Sequence, residues 1–138
     1  MGCYNSKIIN APIAKVWAAI RDFHNLSWAK GVIETLDVLG DKKGDQIGAR
    51  RKLNGVFVET LVGLDEVEHV IKYTIDEGPG PLASCTGYVG QVRAFSLTDG
   101  DKTFVEWTSS WQDSQGGVKE FCDPVYQALL GAMAATVK

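Results

Sequence analysis

The chain has 138 residues, 45% of them hydrophobic and 22% charged, with a formal net charge of -3. That length suits one domain with a core large enough to stand without staples, and the mild acidity carries no electrostatic footprint for nucleic acid. No apolar run approaches the roughly 18 residues of a membrane span, so stable membrane insertion is not expected.

The start, Met1-Gly2-Cys3-Tyr4-Asn5-Ser6, fits the loose N-myristoylation pattern, but nothing polybasic follows to supply a second anchor. Cys3 to Asn10 also reads as a first strand, ended by Ala11-Pro12. Pro12 at the first helical position then opens a helix with Ile13, Val16, Trp17 and Ile20 as its apolar stripe. Phe23, Leu26 and Trp28 suggest a second short helix, closed by Gly31.

From Val32 the pattern turns to β. Strands are expected over Val32 to Leu39, Ile47 to Leu53, Val56 to Asp65, His69 to Asp76, Ser84 to Thr98 and Lys102 to Asp113. Asn54-Gly55 is a hairpin signal, and Gly78-Pro79-Gly80-Pro81 breaks the chain. Lys42, Lys43, Arg50, Arg51 and Lys52 cluster locally, with acidic residues nearby, as a solvated hairpin would.

Gly116-Gly117 releases the chain into a last helix, Val118 to Lys138. Val118, Phe121, Cys122, Val125, Tyr126, Leu129, Leu130, Met133 and Val137 recur at helical spacing along one broad apolar face. Something large and apolar must cover that face, and the strands before it are the available partner. Pro124 interrupts the pattern without ending it, so a kinked but continuous helix is expected.

The three cysteines, Cys3, Cys85 and Cys122, show no CxxC or metal-ligand spacing and read as free thiols of a reducing, cytoplasmic compartment. His24 and His69 have no second ligand at metal spacing, and no Ser-His-Asp order, GxSxG or Walker motif is present, so no metal or other cofactor is expected.

The element order resembles the helix-grip fold of the START/Bet v 1 superfamily, in its polyketide cyclase/dehydrase-like branch. The resemblance spans nearly the whole chain, carried by Asn10-Ala11-Pro12-Ile13-Ala14-Lys15-Val16-Trp17, Asp22-Phe23-His24-Asn25-Leu26-Ser27-Trp28, Gly48-Ala49-Arg50-Arg51, Glu59-Thr60-Leu61 with Asp65, and Val105-Glu106-Trp107. It implies an α+β fold: a seven-stranded antiparallel curved sheet wrapped around the long C-terminal helix, with two short helices after the first strand. It also implies a cavity for a small hydrophobic molecule of polyketide, lipid or isoprenoid type, in a monomer or weak homodimer.

A two-residue Asn54-Gly55 turn would set Arg50 opposite Glu59; an odd loop sets Arg51 there instead. The family pattern places arginine and glutamate at Arg51 and Glu59, facing the cavity, which favours the odd loop. Ile47, Ala49, Arg51, Leu53, Phe57, Glu59 and Leu61 would then share the inner wall. In that position Glu59 would act as acid or base and Arg51 as oxyanion stabiliser, the division of labour of a cyclase, dehydratase or isomerase. The bland alternative is an ion pair tethering two strands.

Alternation groups Ile71, Tyr73 and Ile75, then Val89, Gln91, Arg93, Phe95 and Leu97, then Val105, Trp107, Ser109 and Trp111. Trp28, Phe57, Tyr73, Gln91, Trp107 and Tyr126 are the expected ligand contacts, though Trp107 and Trp111 also suit plain core. Gln91 stands where active enzymes of this branch often offer a tyrosine, and an amide is no proton donor of comparable acidity. Ala49, Ser109 and Gly131 suggest a hollow of some size. Binding or transport of the hydrophobic ligand is the first reading; the cyclase and a filled-core interaction module remain beside it.

Overall fold

The structure, a computed structural model, describes residues 1–138. Seven antiparallel strands form one sheet: β1 (Gly2–Ile9), β2 (Leu36–Leu39), β3 (Arg50–Leu53), β4 (Phe57–Asp65), β5 (Val70–Glu77), β6 (Val89–Leu97) and β7 (Lys102–Ser110). Their order is β1-β7-β6-β5-β4-β3-β2, so β2 to β7 run as a meander that brings β7 back beside β1. The link from β1 to the far edge contains helix α1 (Ile13–Ile20), and the C-terminal helix α2 (Val118–Thr136) packs against β1 and the inner face. A 3₁₀ turn at Gly80–Ser84 sits beside α2. No helix is long and apolar enough to cross a membrane.

Helix α1 buries Val16, Trp17 and Ile20, as its stripe predicts. Pro12 stands one place earlier than expected, as the N-cap, with its carbonyl accepting from the Lys15 and Val16 N–H groups. The second short helix is a correction: the residues from Asp22 to Ile33 form consecutive turns. Asp22 Oδ1 accepts from the His24 N–H at 3.0 Å, and Asn25 Oδ1 from the Ser27 N–H at 3.1 Å. Such side chains offer the backbone a local partner that competes with helical bonds. Phe23, Trp28 and Ala29 are nonetheless buried, so the apolar pattern marks core packing here.

Strand β2 begins at Leu36, four residues later than expected, because a side chain takes over the preceding backbone. Asn54 Oδ1 accepts from the Glu34 and Thr35 N–H groups at 2.8 and 3.3 Å, while its Nδ2 donates to the Val32 carbonyl at 2.9 Å. Ser84 to Tyr88 likewise lies outside β6, in the 3₁₀ turn and a single bridge from Thr86 to Asp113.

Helix α2 is continuous through Pro124 and buries Val118, Cys122, Tyr126, Leu129, Leu130 and Met133 against the sheet. The inner face of β6 is Gly90, Val92 and Ala94, the set between the residues that alternation had grouped. These small side chains admit bulk from neighbouring strands. A Cβ on Gly90 would lie 2.2 Å from the Tyr73 ring, so only glycine lets Tyr73 lie across β6.

Candidate functional site

The β3–β4 hairpin pairs Arg51 with Glu59 and Leu53 with Phe57, leaving Asn54, Gly55 and Val56 as an odd, three-residue tip. Asn54 and Gly55 take left-handed backbone angles, φ 52° and 70°, conformations that asparagine and glycine accept most readily. The odd tip sets Arg51 and Glu59 side by side on the inner face, with side chains 5% and 6% exposed.

Arg51 donates from Nε and Nη2 to Glu59 Oε1 at 2.9 and 2.7 Å, and from Nη1 to the Phe23 carbonyl at 2.9 Å. The Phe23 ring covers one face of the guanidinium, with its centroid 3.7 Å from Cζ. Glu59 Oε2 accepts no hydrogen bond, and Glu59 itself lines the adjoining cleft. Burial raises the Glu59 carboxyl above its ordinary range, and Arg51 offsets this only in part.

Beyond the ion pair runs a chain of buried hydroxyls. Trp107 Nε1 donates to Tyr73 Oη at 2.9 Å, Tyr73 donates to Tyr126 Oη at 3.2 Å, and Tyr126 is hydrogen-bonded to Tyr88. Burial pushes all three tyrosines upward, so each remains a neutral hydroxyl. Trp107 stacks on Tyr126, and Tyr88 on Trp111.

Arg51, Glu59, Tyr73, Trp107 and Tyr126 floor a cleft between sheet and α2. Of its fifteen lining residues thirteen are hydrophobic, and the other two are Arg51 and Glu59. One wall comes from Leu26, Ile33, Leu53 and Phe57, the other from Leu82, Phe121, Val125 and Leu129. The cavity itself is ≈ 30 Å³, room for about two waters, and ≈ 480 Å³ with the space out to the mouth included. The expected hollow is therefore largely filled, by the rings of Tyr73, Trp107 and Tyr126 meeting across it.

Of the residues singled out from the sequence, Arg51, Glu59, Phe57, Tyr73, Trp107 and Tyr126 line this cleft. Trp28 does not; it packs beside Trp107 at a smaller space of ≈ 10 Å³, and its Nε1 donates to the Ala19 carbonyl. Gln91 is a correction, since it stands on the outer face of β6 beside Lys72 and Arg93. Tyr73 offers the inward hydroxyl instead. Ile47 is exposed rather than part of the inner wall, and His24 lies at the surface with Nε2 2.9 Å from the Arg50 carbonyl. Sequence reasoning passed over Leu82, hidden in a stretch that reads only as a chain break, and Tyr88, which alternation could have paired with Gly90 and Val92.

No group of three or more His, Cys, Asp or Glu side chains is gathered to hold a metal ion. The three cysteines are unpaired, with Cys3 and Cys122 buried and Cys85 half-buried. Burial pushes the Cys122 thiol, on the cleft wall, up to about 11.

Comparison with known proteins agrees with this architecture. A protein from Nitrosospira multiformis has 39% identity to this chain over 100% of it and 97% of the other, with a TM-score of 0.96. The Bacillus cereus protein XoxI is similar in fold at 18% identity, with a TM-score of 0.81 over 99% of this chain and 94% of that one. A Thermobifida fusca protein likewise shares the fold at 24% identity, with a TM-score of 0.80 over 96% and 90%. No curated protein matches the chain. The family model for polyketide cyclase/dehydrase and lipid transport proteins matches residues 3–138, and the chain belongs to that family.

Proposed function

We propose that the cleft between sheet and α2 binds a small hydrophobic molecule, of polyketide, lipid or isoprenoid type, with its polar end at Arg51 and Glu59. The observation that carries this reading is an apolar cleft whose only charged lining groups are one buried ion pair. A buried pair does little for stability compared with apolar residues of the same volume, so its place at the floor of a cleft favours a ligand-orienting role. Because the cavity is only ≈ 30 Å³, binding requires the two walls to part. Fluorescence titration with isoprenoid alcohols and aromatic polyketides tests this. Saturable binding that is lost in Leu129→Trp, which fills the cleft, supports it; a response unchanged by that substitution contradicts it.

A second reading, cofactor-independent cyclisation, dehydration or isomerisation, is favoured by Glu59 itself. Burial raises its carboxyl above the ordinary range while Arg51 favours its charged form, it lines the cleft, and neutral Tyr73 stands on the same floor. Glu59 would transfer the proton while Arg51 holds the developing oxyanion. Glu59→Gln separates the readings: in an enzyme it abolishes turnover while sparing binding, whereas in a carrier it changes affinity alone.

A further inference from the structure

The polar groups on the cleft floor are not evenly available. Arg51 is the one cation lining the cleft and Glu59 the one anion, so the floor is electrically balanced before any ligand arrives. Three of the arginine's N–H groups are engaged, two on Glu59 Oε1 and one on the Phe23 carbonyl. The Tyr73 hydroxyl already accepts from Trp107 and donates to Tyr126, which is bonded in turn to Tyr88. What remains is Glu59 Oε2, an acceptor with no partner, and those N–H groups of Arg51 that neither Glu59 nor Phe23 engages.

A ligand hydroxyl fits that remainder, donating its proton to Oε2 and accepting from the guanidinium. A carboxylate has no proton for Oε2 and brings a second anion to a cation already shared. An ammonium could donate to Oε2 but would carry an uncompensated charge into an apolar cleft beside Arg51. Building on the binding role proposed above, we infer that the cleft selects neutral, hydroxyl-bearing apolar molecules, with Glu59 Oε2 as the hydroxyl's acceptor, and rejects the matching carboxylic acids.

Isothermal titration of the full chain at neutral pH with 1-octanol, octanoate and octylamine tests this on molecules with one tail and three heads. The alcohol is expected to bind tightest, by about tenfold over either ion, the factor that one charge-assisted hydrogen bond supplies. Glu59→Gln deepens the test, because it leaves the Arg51 charge uncompensated and can turn an amide N–H₂ toward the cleft in place of the acceptor. The order is then expected to invert in favour of octanoate. Octanoate or octylamine binding the wild-type chain as tightly as octanol overturns the inference while leaving a ligand-binding cleft standing. No binding of any of the three overturns both. The wild-type comparison decides the matter even if Glu59→Gln fails to fold.

Discussion

Arg51 and Glu59 illustrate how a single pair can cost stability while shaping a site. Removing one partner strands the other charge away from water, so Arg51→Ala should lower the unfolding free energy by about 3–5 kcal/mol in urea titrations. Replacing both, as Arg51→Met with Glu59→Leu, should leave stability within about 1 kcal/mol of wild type or raise it, while selectivity for polar head groups disappears. A double variant as unstable as the single one would make the pair a structural tether. The pH dependence has a definite sign. Burial places the folded Glu59 carboxyl above its unfolded value of 4.5, so the folded state holds this proton more readily. Its contribution to stability is therefore largest at acid pH and declines as pH rises from about 4.5 through the higher folded value, the reverse of an exposed, paired carboxylate such as Glu66. Unfolding curves across this range should show the decline in wild type and a flatter profile in Glu59→Gln. At Gly90 an added methyl group collides with Tyr73 and must shift that ring off Trp107 and Tyr126. Gly90→Ala should cost about 1–3 kcal/mol and perturb tryptophan fluorescence; an unchanged spectrum would mean that Tyr73 is not held where the structure places it.

Between elements, what matters is how the hairpin tip meets the segment before β2. One side chain, Asn54, makes three hydrogen bonds to residues 32–35 and so fastens one wall of the cleft. Asn54→Ala should loosen that wall and cost about 2–4 kcal/mol, through three lost hydrogen bonds and a left-handed backbone that alanine resists. Cys122 reports on this opening, because its thiol is buried on the cleft wall and shifted to about 11. Alkylation at Cys122 should be slow in wild type, faster in Asn54→Ala, and slower again when a ligand fills the cleft; identical rates in both chains would place the opening motion elsewhere. The elements differ in how openly the sequence declares them. Helix α2 is legible because its stripe runs unbroken from Val118 to Met133, and the Arg51–Glu59 register becomes legible once family likeness selects an odd loop. The turns after α1 are not, since Phe23 and Trp28 carry helix-like spacing while Asp22 and Asn25 divert the local backbone bonds. On β6, alternation separates two sets of residues without saying which faces inward. Gly90, Val92 and Ala94 look weaker than Phe95 and Leu97 as core, yet the inner face needs small residues because Tyr73 crosses it.

For the molecule as a whole, the sheet and α2 enclose a floor rich in aromatic hydroxyls and a mouth lined with aliphatic and phenyl side chains. The volume of the space between them was beyond the reach of the sequence. Ala49 and Ser109 promised a hollow, but how far Trp107, Tyr126 and Tyr73 interdigitate depends on rotamers and strand curvature that residue spacing does not encode. Membership of the polyketide cyclase/dehydrase and lipid transport family is consistent with ligand binding in general, and the location we propose for it is the cleft. The central claim is that this cleft opens to hold one apolar molecule against Arg51 and Glu59. Native mass spectrometry of the freshly purified chain, followed by denaturing extraction, tests it most directly. The account predicts a single stoichiometric small molecule on the wild-type protein that is absent from a folded Leu129→Trp variant. A clean apo mass that stays unchanged after incubation with isoprenoid alcohols, aromatic polyketides and lipids would contradict it, and would leave the outer surface of the grip as the part that acts.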